Sequence, residues 1–182
     1  MRAVCVFCGS RPGARPEYLE LATGLGRALA ARSLALVYGG ARVGLMGTMA
    51  DAALAAGGQV IGVIPRSLVD REVAHGGLSE LHVVDTLHQR KALMAERADA
   101  FVALPGGVGT LDELFEIVTW RVLGLHQKPI GILDPGAYFG PLVSLLDHMV
   151  GEGFLELAHR SLIACAARPD DLLDQFARGR PR

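Results

Sequence analysis

The chain has 182 residues, of which 51% are hydrophobic and 20% charged, with a formal net charge of −1. That length and apolar content suit one globular domain over residues 1–182. The near-neutral charge gives no basis for binding nucleic acid through a basic surface, and no apolar run reaches the length of a membrane span.

Ala3–Cys8 is an apolar run ended by Gly9-Ser10 and predicts a first buried strand. It is too short and too soon broken for a signal peptide, so the expected location is the cytoplasm. Cys5-Val6-Phe7-Cys8 has redox-motif spacing. Residues three apart on a strand face opposite sides, however, so buried thiols are expected rather than a disulfide or metal site. Pro16 suits the first turn of a helix running to about Arg32. Leu34–Tyr38 reads as the second strand, Gly44–Ala56 as a helix of small residues and Gln59–Ile64 as the third strand. Pro65–Ser79 is expected to be irregular, a polar loop carrying Arg66, Asp70, Arg71, Glu72 and His75.

Leu81–Asp85 is the fourth predicted strand. Thr86-Leu87-His88-Gln89 is a capping box that opens a helix to about Arg97, with Arg90 and Lys91 just past its first turn. Ala100–Leu104 has the length of a buried strand and breaks at Pro105-Gly106-Gly107. A helical pattern follows over Thr110–Leu125, with a core stripe at Leu111, Leu114, Phe115, Val118 and Val122. Thr110 and Glu113 have the spacing of a second capping box. Pro129–Leu133 and Leu162–Ala166 read as strands, Tyr138–Gly151 and Asp170–Phe176 as helices. Strands that alternate with helices, mostly as continuous apolar runs, predict an α/β fold. Its form is a Rossmann-like parallel sheet with helices on both faces, three layers in the order α/β/α.

In such sheets ligands bind beyond the C-terminal strand ends, near the switch in strand order. Glycine loops follow the first, second and fifth strands and Arg90 follows the fourth, so all open on one edge. The Gly107–Thr110 loop joins uncovered backbone N–H groups to a helix N-terminus, which suits a phosphate or another anion. Cations Arg90 and Lys91 and carboxylates Glu72, Glu113 and Glu116 belong to the same edge. His75, His82 and His88 lack metal-ligand spacing, and no metal or cofactor is expected. The GxGxxG fingerprint is missing from Cys8–Gly13, and neither a Walker loop nor a Gly-x-Ser-x-Gly elbow occurs.

Pro105-Gly106-Gly107-Val108-Gly109-Thr110-Leu111-Asp112-Glu113 resembles the PGGxGTxxE signature of the Lonely Guy family, the cytokinin riboside 5′-monophosphate phosphoribohydrolases. Phe7-Cys8-Gly9-Ser10, Tyr38-Gly39-Gly40 with Gly44-Leu45-Met46-Gly47, and His88-Gln89-Arg90-Lys91 agree in order and spacing. The resemblance implies hydrolysis of the N-glycosidic bond of N6-substituted adenosine monophosphates, with AMP itself a further candidate substrate. The products are free base and ribose 5-phosphate. It matches Arg90 and Glu113 to the catalytic pair. It matches Glu72, Arg90, Lys91, Gly107, Val108, Gly109, Thr110, Leu111, Asp112, Glu113 and Thr119 to substrate-binding positions; Asp112 stands where many members have Glu. Gly106, Glu116, Ser10 and Gly40 join the candidate substrate contacts on the same edge. The parts suit the chemistry. An anion nest takes the 5′-phosphate, and a carboxylate stabilises oxocarbenium-like charge, holds ribose hydroxyls or orients the attacking water.

Plainer readings stand beside these. Glu113 suits a helix cap, Lys91 a solvated helix position, His88 the helix start, and Met46, Met49 and Met94 the core. A nucleotide-binding or carrier module without turnover is the alternative function, since fold alone does not exclude it. A lysine decarboxylase would need a Schiff-base lysine; of the candidates, Lys128 precedes a strand on the opposite edge and Lys91 has a substrate-binding role by resemblance. Ile117, Trp120 and Leu123 on the outer side of the Thr110–Leu125 helix point to a contact surface. The resemblance implies a homodimer with the active site close to the subunit interface.

Overall fold

The computed structural model describes residues 1–72 and 74–179, and for Asp70, Arg71 and Glu72 the backbone alone. Seven strands form one sheet: β1 (Ala3–Phe7), β2 (Ala35–Tyr38), β3 (Val60–Pro65), β4 (Glu80–Val84), β5 (Ala100–Ala103), β6 (Ile130–Leu133) and β7 (Ile163–Ala166). Their order is β4-β3-β2-β1-β5-β6-β7, and every pairing is parallel. The helices between them are α1 (Glu17–Ala31), α2 (Gly44–Ala55), α3 (Arg66–Glu72), α4 (Leu87–Arg97), α5 (Val108–Val122), α6 (Gly140–Gly151), α7 (Leu157–Arg160) and α8 (Pro169–Arg178). A parallel sheet needs a crossover between successive strands, and helical crossovers cover both faces. The inner strands β1, β2, β3, β5 and β6 are accordingly buried along their whole length.

Two cores result. Val4 and Val6 of β1 join one core with residues of α1, α2 and α8. Ala3, Cys5 and Phe7 join the other, with residues of α4, α5 and α6. The two-residue period of a strand causes the division. It also sends Cys5 and Cys8 to opposite faces, as their spacing predicts, and burial pushes both thiols well above their ordinary pKa. Among the described residues no helix is long and apolar enough to cross a membrane.

The structure corrects three expectations. Pro65–Ser79 is not irregular throughout, because α3 occupies Arg66–Glu72. The short helix α7 lies where no helix is expected, within the segment before β7. The third difference matters most for the site. α5 begins at Val108, not Thr110, and its N-cap is Gly107 without a side-chain cap. Thr110 therefore does not cap the helix; it is a buried residue of the first turn, 4% exposed. The core stripe is rotated as well, with Leu114, Ile117 and Val118 buried and Leu111, Phe115 and Val122 half-buried. Starting the helix two residues early changes no pitch; it is the packing against β1 and β5 that selects the buried face. The other expected box is present: Gln89 N donates to Thr86 Oγ1 at 3.1 Å and Thr86 N to Gln89 Oε1 at 3.2 Å.

Candidate active site

β1 and β5 are neighbours, but the chain builds β2, β3 and β4 on one side of β1 before it returns to β5. The loops after these two strands leave on opposite faces, and a crevice opens between them. A cavity of about 540 Å³ lies there, lined by the ends of β1 and β2, the start of α2, Arg90 of α4 and the β5–α5 turn. Backbone bonds stitch its walls together: Gly9 N donates to Pro105 O at 3.1 Å, and Leu45 N donates to Gly9 O at 3.1 Å. Gly106 is required by closeness. A Cβ there would stand 2.9 Å from the Gly9 nitrogen and run into the Thr110 hydroxyl.

The turn Pro105–Gly109 forms one side of the cavity and leads into the N-terminus of α5. The first N–H groups of that helix have no partners within it, and its dipole adds a partial positive charge. Gly107 and Gly109 leave the approach uncovered, since a Cβ at either would meet nothing within 4 Å. An anion such as a phosphate fits this end of the cavity.

Arg90 and Glu113 line the same cavity from two different helices. Arg90 Nη2 lies 4.0 Å from Glu113 Oε1, and the side chains are 11% and 14% exposed. The same Nη2 donates to Gly39 O at 3.4 Å. Gly39 makes this approach possible, because a Cβ there would overlap the guanidinium. Arg90 Nε is buried without a hydrogen-bond partner among the described residues. The guanidinium thus has donor capacity left for a ligand.

Of the expected contacts, Ser10, Arg90, Gly106, Gly107, Val108, Gly109, Thr110 and Glu113 line the cavity. Lys91, Leu111, Asp112, Glu116, Thr119 and Gly40 do not line it in this chain. Lys91 Nζ lies 3.1 Å from Asp112 Oδ2 and 3.1 Å from Glu116 Oε1, so these three residues pair with one another beside the cavity. Thr119 is exposed on α5. Gly40 is buried, and its carbonyl accepts from His75 N at 3.0 Å, which holds the segment after α3 near the end of β2. The Glu72 side chain lies outside the described residues.

Sequence reasoning missed two aromatic residues. Tyr18 of α1 and Tyr138, from the loop after β6, line the cavity with ring centroids 5.8 Å apart in an edge-to-face arrangement. The Tyr138 hydroxyl donates to Gly106 O. Its position after a strand, on the ligand-binding edge, is the signal that would have found it. The two lysines of the chain are accounted for elsewhere. Lys91 is held in its ion pairs, and Lys128 donates from Nζ to Ala95 O at 2.8 Å at the opposite edge of the sheet. Neither lines the cavity, so it offers no lysine for a Schiff base.

A family model described as possible lysine decarboxylase matches residues 46–176. The chain is 58% identical over 166 residues to a cytokinin riboside 5′-monophosphate phosphoribohydrolase of Rhodococcoides fascians, covering 90% of this chain and 84% of the relative. It is 45% identical over 180 residues to a protein of the same description from Arabidopsis thaliana, covering 99% and 83%. Among solved structures, the molybdenum cofactor binding protein of Rippkaea orientalis aligns with a TM-score of 0.74 and 21% identity over 97% of this chain and 96% of that one. At that identity the likeness concerns the fold alone.

Proposed function

The chain belongs to the cytokinin riboside 5′-monophosphate phosphoribohydrolases, the Lonely Guy family, and on that premise we propose how its cavity hydrolyses an N-glycosidic bond. The reaction takes a cytokinin riboside 5′-monophosphate and water to the free base and ribose 5-phosphate. The label of possible lysine decarboxylase is a misnomer: close relatives carry the phosphoribohydrolase description, and no lysine faces the cavity. The observation that carries the reading is the convergence of Arg90 and Glu113, 4.0 Å apart, on a cavity that also receives the N-terminus of α5.

In this reading the 5′-phosphate sits on the Gly106–Thr110 turn, where backbone N–H groups and the dipole of α5 hold it. Ser10 adds a hydroxyl from the β1 loop. Breaking the C1′–N9 bond leaves positive charge on the ribose while the departing base takes the bonding electrons. Glu113 stabilises that charge as a carboxylate, which is worth most in a site shielded from water. Arg90 lies beside the Glu113 carboxylate and uses its spare donor on the ligand. Water adds its oxygen to C1′, and its proton ends on the base.

The protein acts as a homodimer in this reading, with the exposed side of α5 at the interface. A nucleoside monophosphate substrate suits a cytoplasmic enzyme. The deciding experiment is a direct assay of base release from AMP and from isopentenyl-AMP. Equal amounts of base and ribose 5-phosphate are expected. Tight nucleotide binding with no release from either, at high enzyme concentration, would instead mark a binding module.

A further inference from the structure

The peptide between Gly106 and Gly107 is the only one in the β5–α5 turn with glycine on both sides, so its own residues restrain it least. Its carbonyl and its N–H point in opposite directions, because a trans peptide is planar. Gly107 is the N-cap of α5, so this N–H is among the four at a helix start that find no acceptor within the helix. Turning the peptide over would exchange that donor for the Gly106 carbonyl oxygen. An anion at the turn would then meet a repelling oxygen instead of an N–H.

One side chain acts on this peptide from far along the chain. The Tyr138 hydroxyl donates to Gly106 O. The loop between β6 and α6 that carries Tyr138 is bent to deliver it. Asp134 Oδ1 accepts from Tyr138 N at 2.7 Å, and Asp134 Oδ2 accepts from Phe139 N at 2.8 Å. Ala137, just before Tyr138, has a φ of 57°, a left-handed conformation uncommon for any residue with a side chain. Such conformations persist where surrounding contacts over-determine them. On its other side the Tyr138 ring meets Tyr18 edge-to-face. Arg15 joins the two loops: its Nε donates to the Tyr18 hydroxyl at 3.0 Å and its Nη2 to Gly136 O at 3.3 Å. Gly136 admits that guanidinium, since a Cβ there would overlap it. Tyr138 is 40% exposed, so its hydroxyl fills no core. Its single proton is committed to Gly106, which leaves it only lone pairs to turn toward a phosphate.

We propose that Tyr138 is a positioning residue for the anion turn: its hydroxyl anchors the Gly106 carbonyl and so keeps the Gly107 N–H among the donors offered to the 5′-phosphate. The proposal rests on the reading of this turn as the phosphate site. It adds no contact to the substrate; it fixes a peptide that two glycines leave free to turn over.

The test compares kcat/KM on AMP and on adenosine for the wild-type protein, Tyr138→Phe, Asp134→Ala and the double variant. Tyr138→Phe is expected to lower kcat/KM on AMP on the order of tenfold, the effect of one lost hydrogen bond, and to narrow the advantage of AMP over adenosine by the same factor. The ratio is the useful quantity, because a merely structural loss lowers both substrates together. Asp134→Ala, which frees the loop, should narrow the ratio in the same direction. The double variant should lose no more than Tyr138→Phe alone, because both changes release one anchor. In the ligand-free protein, 15N relaxation should show exchange broadening at Gly107 in Tyr138→Phe that the wild type lacks. An unchanged ratio in Tyr138→Phe, or losses that multiply in the double variant, would overturn the anchor. So would a Gly107 amide as ordered in Tyr138→Phe as in the wild type, since the hydroxyl would then act on the ligand directly. The wild type separates the two levels. If it prefers AMP while Tyr138→Phe keeps its full preference, only the anchor fails; if it hydrolyses AMP and adenosine alike, the phosphate site fails and the anchor with it.

Discussion

Glu113 is held by its surroundings rather than by its place at the head of a helix. α5 starts at Val108, so Glu113 lies beyond the first turn and makes no capping box. Replacing it by Gln keeps the shape and removes the charge. Turnover of isopentenyl-AMP should fall on the order of 10²-fold or more with melting temperature nearly unchanged, the cost of losing one electrostatic catalytic group. Near-normal turnover would leave Glu113 without a catalytic role. Arg90→Ala should be nearly inactive too, and a change in KM alone would assign it to uniform binding. Gly39 gives a subtler probe. Ala there would displace the guanidinium, because a Cβ and Arg90 Nη2 cannot share the space. Gly39→Ala is expected to lower kcat although it removes no charged group, and a wild-type rate would show that Arg90 tolerates the shift.

At the scale of elements, two features carry tests. The β5–α5 turn has an uncovered approach at Gly107 and Gly109 and leads into a helix N-terminus that no side chain caps among the described residues. If it binds the 5′-phosphate, that binding energy also positions the ribose. Adenosine should then be a far poorer substrate than AMP in kcat/KM, whereas comparable values would mean that the turn is not a phosphate site. The second feature lies at the opposite edge, where Asp99 ties the start of β5 to β1 by accepting from Arg2 N and Ala3 N. Burial raises the Asp99 pKa, but the bonds from Arg2 and Ala3 and the nearby N-terminal charge outweigh it, so the folded value lies below the ordinary one. The sign follows. The folded chain binds that proton less readily than the unfolded chain, so the contribution is full above the unfolded pKa and is lost as pH falls through the folded one. Asp99→Asn should lower the melting temperature at neutral pH and flatten its decline in acid; parallel curves for both proteins would reject this role.

For the molecule as a whole, the proposed dimer is constrained by what α5 has left to offer. Ile117 is buried and belongs to the second core, so it is not available to a partner. Trp120 is half-buried and packs partly against that same core. Leu123 and Leu125, 67% and 68% exposed, are the apolar residues at the end of the helix that water reaches. Isolated exposed leucines are ordinary, but two beside a half-covered Trp make a patch. Light scattering at micromolar concentration should report a dimer, and Trp120→Asp should yield monomers with lower activity. Because that change also disturbs the core, Leu123→Asp is the cleaner variant. A monomeric wild-type protein, or a dimer that survives both changes, would reject this interface.

Local chemistry made much of the protein legible in its sequence. Short apolar runs bounded by turn residues, such as Ala100–Ala103, read as buried strands, and their alternation with helices points to a parallel sheet covered on both faces. The Thr86–Gln89 box is a contact between near neighbours, so its residues suffice to announce it. The same is true of the glycine turn, whose N–H groups are exposed by what the glycines lack. Tertiary structure decided what depends on distant partners. It set the start of α5 at Val108 and buried Thr110 under Gly106, because the β1 loop packs against that turn. It turned Ile117 inward, since the sheet and not the helical period selects the buried side. It brought Tyr138 from the loop after β6 onto Gly106, across a sequence separation that no local pattern encodes. It also gave Lys91 to Asp112 and Glu116 rather than to the cavity. Charge and spacing bring all these groups to one edge of the sheet, but only the placement of α4 and α5 on that sheet determines which carboxylate each cation meets.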